Sequence, residues 1–205
     1  DPAITKDSYT FAFGRKILNR EGDTIYYVDG VLVWEPDPQH KVSIVHVQNC
    51  IKQVHLARPI YALGADHHNS AETVERLNMS GIRSTVYTAS NPMQLAQYTF
   101  TRELMRDNRL VLPKSSPWRS KLQDELTRVH LIRGVKIDHP KTGSKDISDA
   151  VCGLCWLLER TQLTTTVFAE VVDQVPDRLR AVKISTNTDN RFNRGRSEYF
   201  KAKRF

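Results

Sequence analysis

Pro59-Ile60-Tyr61-Ala62-Leu63-Gly64-Ala65-Asp66 is a short, mostly apolar run that stops on an acid. A run of this kind fits a buried central strand, because a strand covered on both faces shows no polar alternation. Asn69 or Ser70 follows as the candidate N-cap, since a short polar side chain can accept from the free N–H groups of a first helical turn. Ala71 to Met79 then reads as a helix with Gly81 as its stop, and Ile82 to Tyr87 as a further strand. Strand, helix and strand in that order make the unit from which α/β sheets are built.

Upstream, Ser8 to Gly14 and Thr24 to Trp34 mix aromatic, β-branched and small residues in near alternation. They read as two or three antiparallel strands, with turn signals at Glu21-Gly22-Asp23 and Asp29-Gly30. Val42 to Val54 carries its apolar residues at helical spacing. Downstream, Gln94 to Asn108 and Pro117 to Thr127 read as helices, and Arg109 to Pro113 as an edge strand closed by proline. Val129 to Asp138 reads as one or two strands interrupted at Arg133-Gly134. A turn-rich loop leads to Asp146, and Ile147 to Arg160 shows an apolar helical face through Ile147, Ala150, Val151, Leu154, Leu157 and Leu158.

The 205 residues are 40% hydrophobic and 26% charged, which suits one main globular domain. Thirty Lys plus Arg against 23 Asp plus Glu leave a net charge of +7 and a pI near 9.4, a balance suited to a polyanionic partner such as nucleic acid. The expected boundaries are a domain over 1–184 and a basic tail over 185–205, where six Arg or Lys accompany two acids and few aliphatics. The aromatics Phe192, Tyr199, Phe200 and Phe205 give that tail a docking or DNA-binding role to test. Thr164 to Ile184 holds a strand-like stretch without a clear place in the topology.

Three cysteines are an odd number, and Cys152-Gly153-Leu154-Cys155 lies inside the apolar helix, so these thiols read as core residues rather than a redox pair or a zinc site. A reducing cytosol follows from that usage. No stretch approaches the roughly 18 to 20 apolar residues of a membrane span. The first residue is Asp rather than Met, as expected of a processed or excised chain.

Hydrolysis of a phosphodiester by two divalent ions needs several carboxylates at one point, because hard cations prefer oxygen ligands and sit about 4 Å apart. The acids here are distributed as that chemistry requires. Asp1 and Asp7 begin the first β region, Asp66 ends a strand, and Asp146 and Asp149 stand three apart at the head of a helix, where they share a face. The bland alternatives are a strand-end cap for Asp66 and macrodipole-favoured first-turn acids for the helix pair.

Three segments in order carry a family resemblance: Asp1-Pro2-Ala3 with Asp7; Ala62-Leu63-Gly64-Ala65-Asp66 before a helix and Leu77-Asn78-Met79-Ser80-Gly81-Ile82; and Lys136-Ile137-Asp138-His139-Pro140-Lys141-Thr142-Gly143-Ser144-Lys145-Asp146-Ile147-Ser148-Asp149-Ala150. From Asp1 to about Arg160 the chain resembles the nuclease domain of tailed-bacteriophage terminase large subunits, and the third segment is the most specific part. The resemblance implies an α/β, ribonuclease H-like fold with a central mixed β-sheet flanked by helices. It implies a metal-dependent endonuclease, a hydrolase that cuts concatemeric double-stranded viral DNA during genome packaging in the host cell cytoplasm. By position, Asp1, Asp66 and Asp149 match the catalytic and metal-binding acids, and Asp7 and Asp146 match auxiliary metal positions. Mg²⁺ or Mn²⁺ in a two-metal site is the implied cofactor. The implied partners are double-stranded DNA and, in the full-length protein, an ATPase domain, a portal ring and a small terminase subunit, with no membrane.

Arg133, Lys136, Lys141 and Lys145 flank the acids and are candidate phosphate contacts, or else ordinary solvated cations. His67, His68 and His139 read as loop and turn residues. Two departures stand out. No strand residues precede Asp1, and no Gly-x-x-x-x-Gly-Lys-Ser/Thr phosphate loop occurs in these residues. Other ribonuclease H-like nucleases, such as a junction resolvase or a transposase core, and a non-catalytic DNA- or portal-binding module are the rival expectations.

Overall fold

The computed structural model describes residues 8–35, 42–66, 70–114, 116–140 and 143–162. The chain divides after Thr161. The expected tail boundary at residue 185, the tail's aromatics and the strand-like stretch after Thr164 all lie outside the described residues.

Two strands, β1 (Tyr9–Leu18) and β2 (Thr24–Trp34), form an antiparallel hairpin. Its turn is tied by Asn19, whose Oδ1 accepts from Glu21 N at 3.0 Å and Asp23 N at 2.7 Å, an arrangement that short amide side chains favour. The turn expected at Asp29-Gly30 does not form. Gly30 instead lies inside β2 opposite Phe13, beside a register shift at Phe13/Gly14. A methyl at Gly30 would stand 2.5 Å from Phe13 Cζ, so the glycine serves close ring packing rather than chain reversal.

Helix α1 (Ile44–Ala57) starts at Ser43, whose side chain accepts from His46 N. Then come β3 (Leu63–Asp66), α2 (Ala71–Met79) and β4 (Ser84–Tyr87), with β3 and β4 paired in parallel. Gly81 ends α2 at φ 80°, where a residue without Cβ is at ease. Helix α3 (Asn91–Arg106) leads to the two-residue β5 (Leu110–Val111), which joins β2 in parallel. Helix α4 (Arg119–Arg128), the hairpin of β6 (His130–Ile132) and β7 (Lys136–Asp138), and α5 (Asp146–Arg160) complete the order. The hairpin turns at Arg133 (φ 51°) and Gly134 (φ 75°).

The result is a mixed α/β arrangement. The β1-β2-β5 sheet holds both parallel and antiparallel pairs, whereas β3-β4 is a separate two-stranded pair among the described residues. Asp66 therefore ends a strand as expected, but no described strand flanks β3 on its other side. Helix α5 buries Ile147, Val151 and Cys155 along one face, with Tyr26, Val28, Leu104, Trp118 and Leu122 in the same core. A second core joins Val47, Ile51, Leu63, Leu77 and Ile82. Cys152 and Cys155 are free and buried, as core thiols. No helix among the described residues is long and apolar enough to cross a membrane.

Candidate active site

The head of α5 is where polar side chains concentrate. An α-helix leaves its first N–H groups unpaired, and the Lys145 side chain makes no cap hydrogen bond. Glu125 of α4 takes over part of that task. Its side chain is buried, and its Oε2 accepts from Ser148 N at 2.7 Å while its Oε1 accepts from Ser144 Oγ at 3.3 Å. Burial raises the Glu125 carboxyl above its ordinary value, against the lowering effect of these donors. Ser144 Oγ also lies 3.0 Å from Asp146 Oδ2, to which Ser8 N donates at 3.3 Å.

Asp149 stands one residue beyond Ser148. Its Oδ1 accepts from the Tyr98 hydroxyl at 2.7 Å, and its Oδ2 from Lys145 Nζ at 2.7 Å. Tyr98 Oη and Ser148 Oγ are 2.8 Å apart. Burial and the Asp149 charge together push the Tyr98 hydroxyl far above the usual phenol range, so it keeps its proton and serves as a donor.

Asp66 lies at the exposed end of β3 in register with Tyr87 on β4, and its Oδ1 accepts from Ala89 N at 3.4 Å. Tyr87 connects the two regions. Burial, then the charges of Asp66 and Asp149, push its hydroxyl up to about 12. Both carboxylates thus act on one phenol, although 82 residues separate them in the chain. Buried Gln97 of α3 acts on that hydroxyl in the opposite direction, lowering it.

Tyr87, the register partner of Asp66, stands with its hydroxyl against Gly153, one turn along α5 from Asp149, and Asp146 and Glu125 lie at the head of that helix. Asp1, Asp7, Lys141, His67 and His68 lie outside the described residues. Among the described residues, no three His, Cys, Asp or Glu side chains are grouped closely enough to hold a metal ion. The carboxylate oxygens of Asp66, Asp146 and Asp149 are donors of the kind that suits Mg²⁺ or Mn²⁺, whereas the thiols of Cys152 and Cys155 are buried in the core, where desolvation raises both.

The candidate phosphate contacts divide. Lys145 is the i−4 partner of Asp149, and its side chain is only 16% exposed. Lys136 pairs with Asp138 along β7 and Arg133 sits at the exposed hairpin turn. Asp138 is held down to about 2, chiefly by Lys136 and then by the His139 backbone N–H. His139 directly follows β7, its Nδ1 lying 2.8 Å from Pro140 O.

Tyr87, Tyr98, Gln97 and Glu125 were not among the residues expected from sequence. Only Glu125 carried a usable signal, because it follows Leu122 by three positions and so falls on the apolar face of α4.

The described residues define a mixed α/β protein in which buried Tyr98 donates to Asp149 and half-buried Tyr87 is the register partner of Asp66. No family model and no curated protein matches the chain. Among solved structures, it is similar to the large terminase nuclease from thermophilic phage G20c with bound cobalt, at 12% identity and a TM-score of 0.48, over 75% of this chain and 82% of that one. The likeness is remote.

Proposed function

We propose that this chain is a metal-dependent endonuclease of the terminase large-subunit type, with a ribonuclease H-like fold, acting on concatemeric double-stranded viral DNA in the host cytoplasm. The observation that carries the reading is the seat of Tyr87, the register partner of Asp66, with its hydroxyl against Gly153 one turn along α5 from Asp149. Composition gives no reason for the elements of two distant acids to flank one tyrosine, whereas phosphodiester hydrolysis does. The order of the three sequence motifs supports the same reading.

Asp66 and Asp149 would hold Mg²⁺ or Mn²⁺, with Asp1, Asp7 and Asp146 as further ligands. When bound, such ions activate water and stabilise the leaving 3′ oxygen. The chain's own groups prepare that site. Tyr98 holds Asp149 Oδ1 and so fixes the carboxylate's rotation. Lys145 neutralises Asp149 Oδ2 and is placed to turn toward a phosphate. Arg133, Lys136 and Lys141 would supply sequence-independent backbone contacts. In the full-length protein, an ATPase domain, a portal ring and a small terminase subunit are the proposed partners.

Cleavage of linear duplex, four-way junction and RNA–DNA hybrid in Mn²⁺ tests the substrate. The reading expects duplex to be cut and Asp66→Ala to abolish it. Preferential cutting of junctions would move the chain to the resolvases, and binding without cutting would make it a DNA- or portal-binding module.

A further inference from the structure

Gly64 and Gly153 both stand against Tyr87. A methyl at Gly64 would lie 3.2 Å from Tyr87 Cε1 and 3.4 Å from Cδ1. One at Gly153 would lie 3.2 Å from the Tyr87 hydroxyl oxygen. Gly153 lies inside a helix, where glycine is less favourable than alanine by about 1 kcal/mol, so its place there needs a reason. The tyrosine supplies one.

The two glycines also belong to the elements that carry the acids. Gly64 and Asp66 are two apart on β3 and share a face, while Asp149 and Gly153 are four apart on α5 and share another. Tyr87 is itself the register partner of Asp66. The ring therefore rests on the strand of one acid, and the hydroxyl touches the helix of the other.

We infer that Tyr87, seated in a slot left by Gly64 and Gly153, is a positioning residue that sets the separation of Asp66 and Asp149 in the proposed nuclease. The inference rests on the proposed function for its purpose but not for its geometry. A site that must place ligands within a fraction of an ångström needs such a spacer, since misplacement by about 1 Å can cost on the order of a hundredfold in rate.

The test is a double-mutant cycle with two readouts, plasmid nicking in Mn²⁺ and the ¹³C carboxyl resonances of Asp66 and Asp149 in metal-free protein. Gly153→Ala is expected to leave the protein folded, lower kcat by roughly tenfold and raise the Mn²⁺ concentration for half-maximal activity. Both carboxyl resonances are expected to shift. Adding Tyr87→Phe removes the oxygen that the new methyl meets, so the double variant is expected to recover most of the lost rate and return both resonances toward their parent positions. Loss of rate in Gly153→Ala with unmoved resonances, or a double variant no better than Gly153→Ala, overturns the inference. If the parent does not nick, the nuclease reading fails by itself, and the resonance cycle alone decides whether Tyr87 spaces the carboxylates.

Discussion

The Tyr98 hydroxyl donates to Asp149 Oδ1 over 2.7 Å, while Ser148 Oγ lies 2.8 Å from the same phenol oxygen. A carboxylate can only accept, so the phenol proton goes to Asp149, and the one Ser148 hydroxyl proton is shared between the phenol oxygen and Lys145 O at 3.0 Å. Tyr98→Phe removes the donor and leaves a half-buried carboxylate with one partner fewer. The expected cost is about 1–2 kcal/mol in urea unfolding. Nicking should fall by roughly tenfold at saturating Mn²⁺ as the carboxylate loses its fixed rotation. An unchanged rate would show that Tyr98 serves packing alone.

Glu125 gives a pH prediction. Its carboxyl is raised when folded, chiefly by burial, so the folded protein holds the proton more tightly than the unfolded chain. Its contribution to stability is therefore largest at low pH, declines as pH rises from the ordinary 4.5 through the folded value, and is level above it. Glu125→Gln keeps an acceptor but cannot ionise. Urea unfolding across this window should show the variant gaining on the parent as pH rises, and a flat or opposite difference would contradict the assignment.

Lys145 pairs with Asp149 at the helix head, where its side chain is only 16% exposed. The proposed phosphate contact predicts that Lys145→Ala weakens binding of duplexes of any sequence. It should also reduce the slope of log affinity against log salt by about one. Equal slopes measured by fluorescence anisotropy would leave Lys145 as an ion-pair partner only.

Ile147 fills the core beneath the site from the first turn of α5 and is almost completely buried. Ile147→Ala should cost about 2–5 kcal/mol in stability. Because that cavity lies next to Ser148, the N-terminal turn of α5 should also lose hydrogen-exchange protection. Protection lost evenly through the protein would instead mean that the turn is not selectively held.

Much of the element order is legible in the sequence because hydrophobic period and turn chemistry agree locally. The α2 helix and its Gly81 stop follow directly from spacing, as does the break at Arg133-Gly134. Gly30 misleads because the same residue that permits a turn also permits the close approach of a ring across a hairpin, and only the partner strand decides between them. Asp66 and Asp149 are legible as acids at element ends. Tyr87 and Tyr98 are not, since a tyrosine on a strand or an amphipathic helix looks like core until the acid that it meets is placed by another element. Asp1, Asp7 and Lys141 rest on the family resemblance and lie outside the described residues.

The central claim is that Asp149 belongs to a metal-dependent nuclease site. Supercoiled plasmid incubated with Mn²⁺, Mg²⁺ or chelator, using the parent and Asp149→Ala at equal folded concentration, tests it most directly. The account predicts nicking and linearisation by the parent with a divalent ion, none with chelator, and loss of at least roughly a hundredfold in the variant. Parent and variant that cut equally, or a parent that leaves the plasmid intact with either metal, would contradict it.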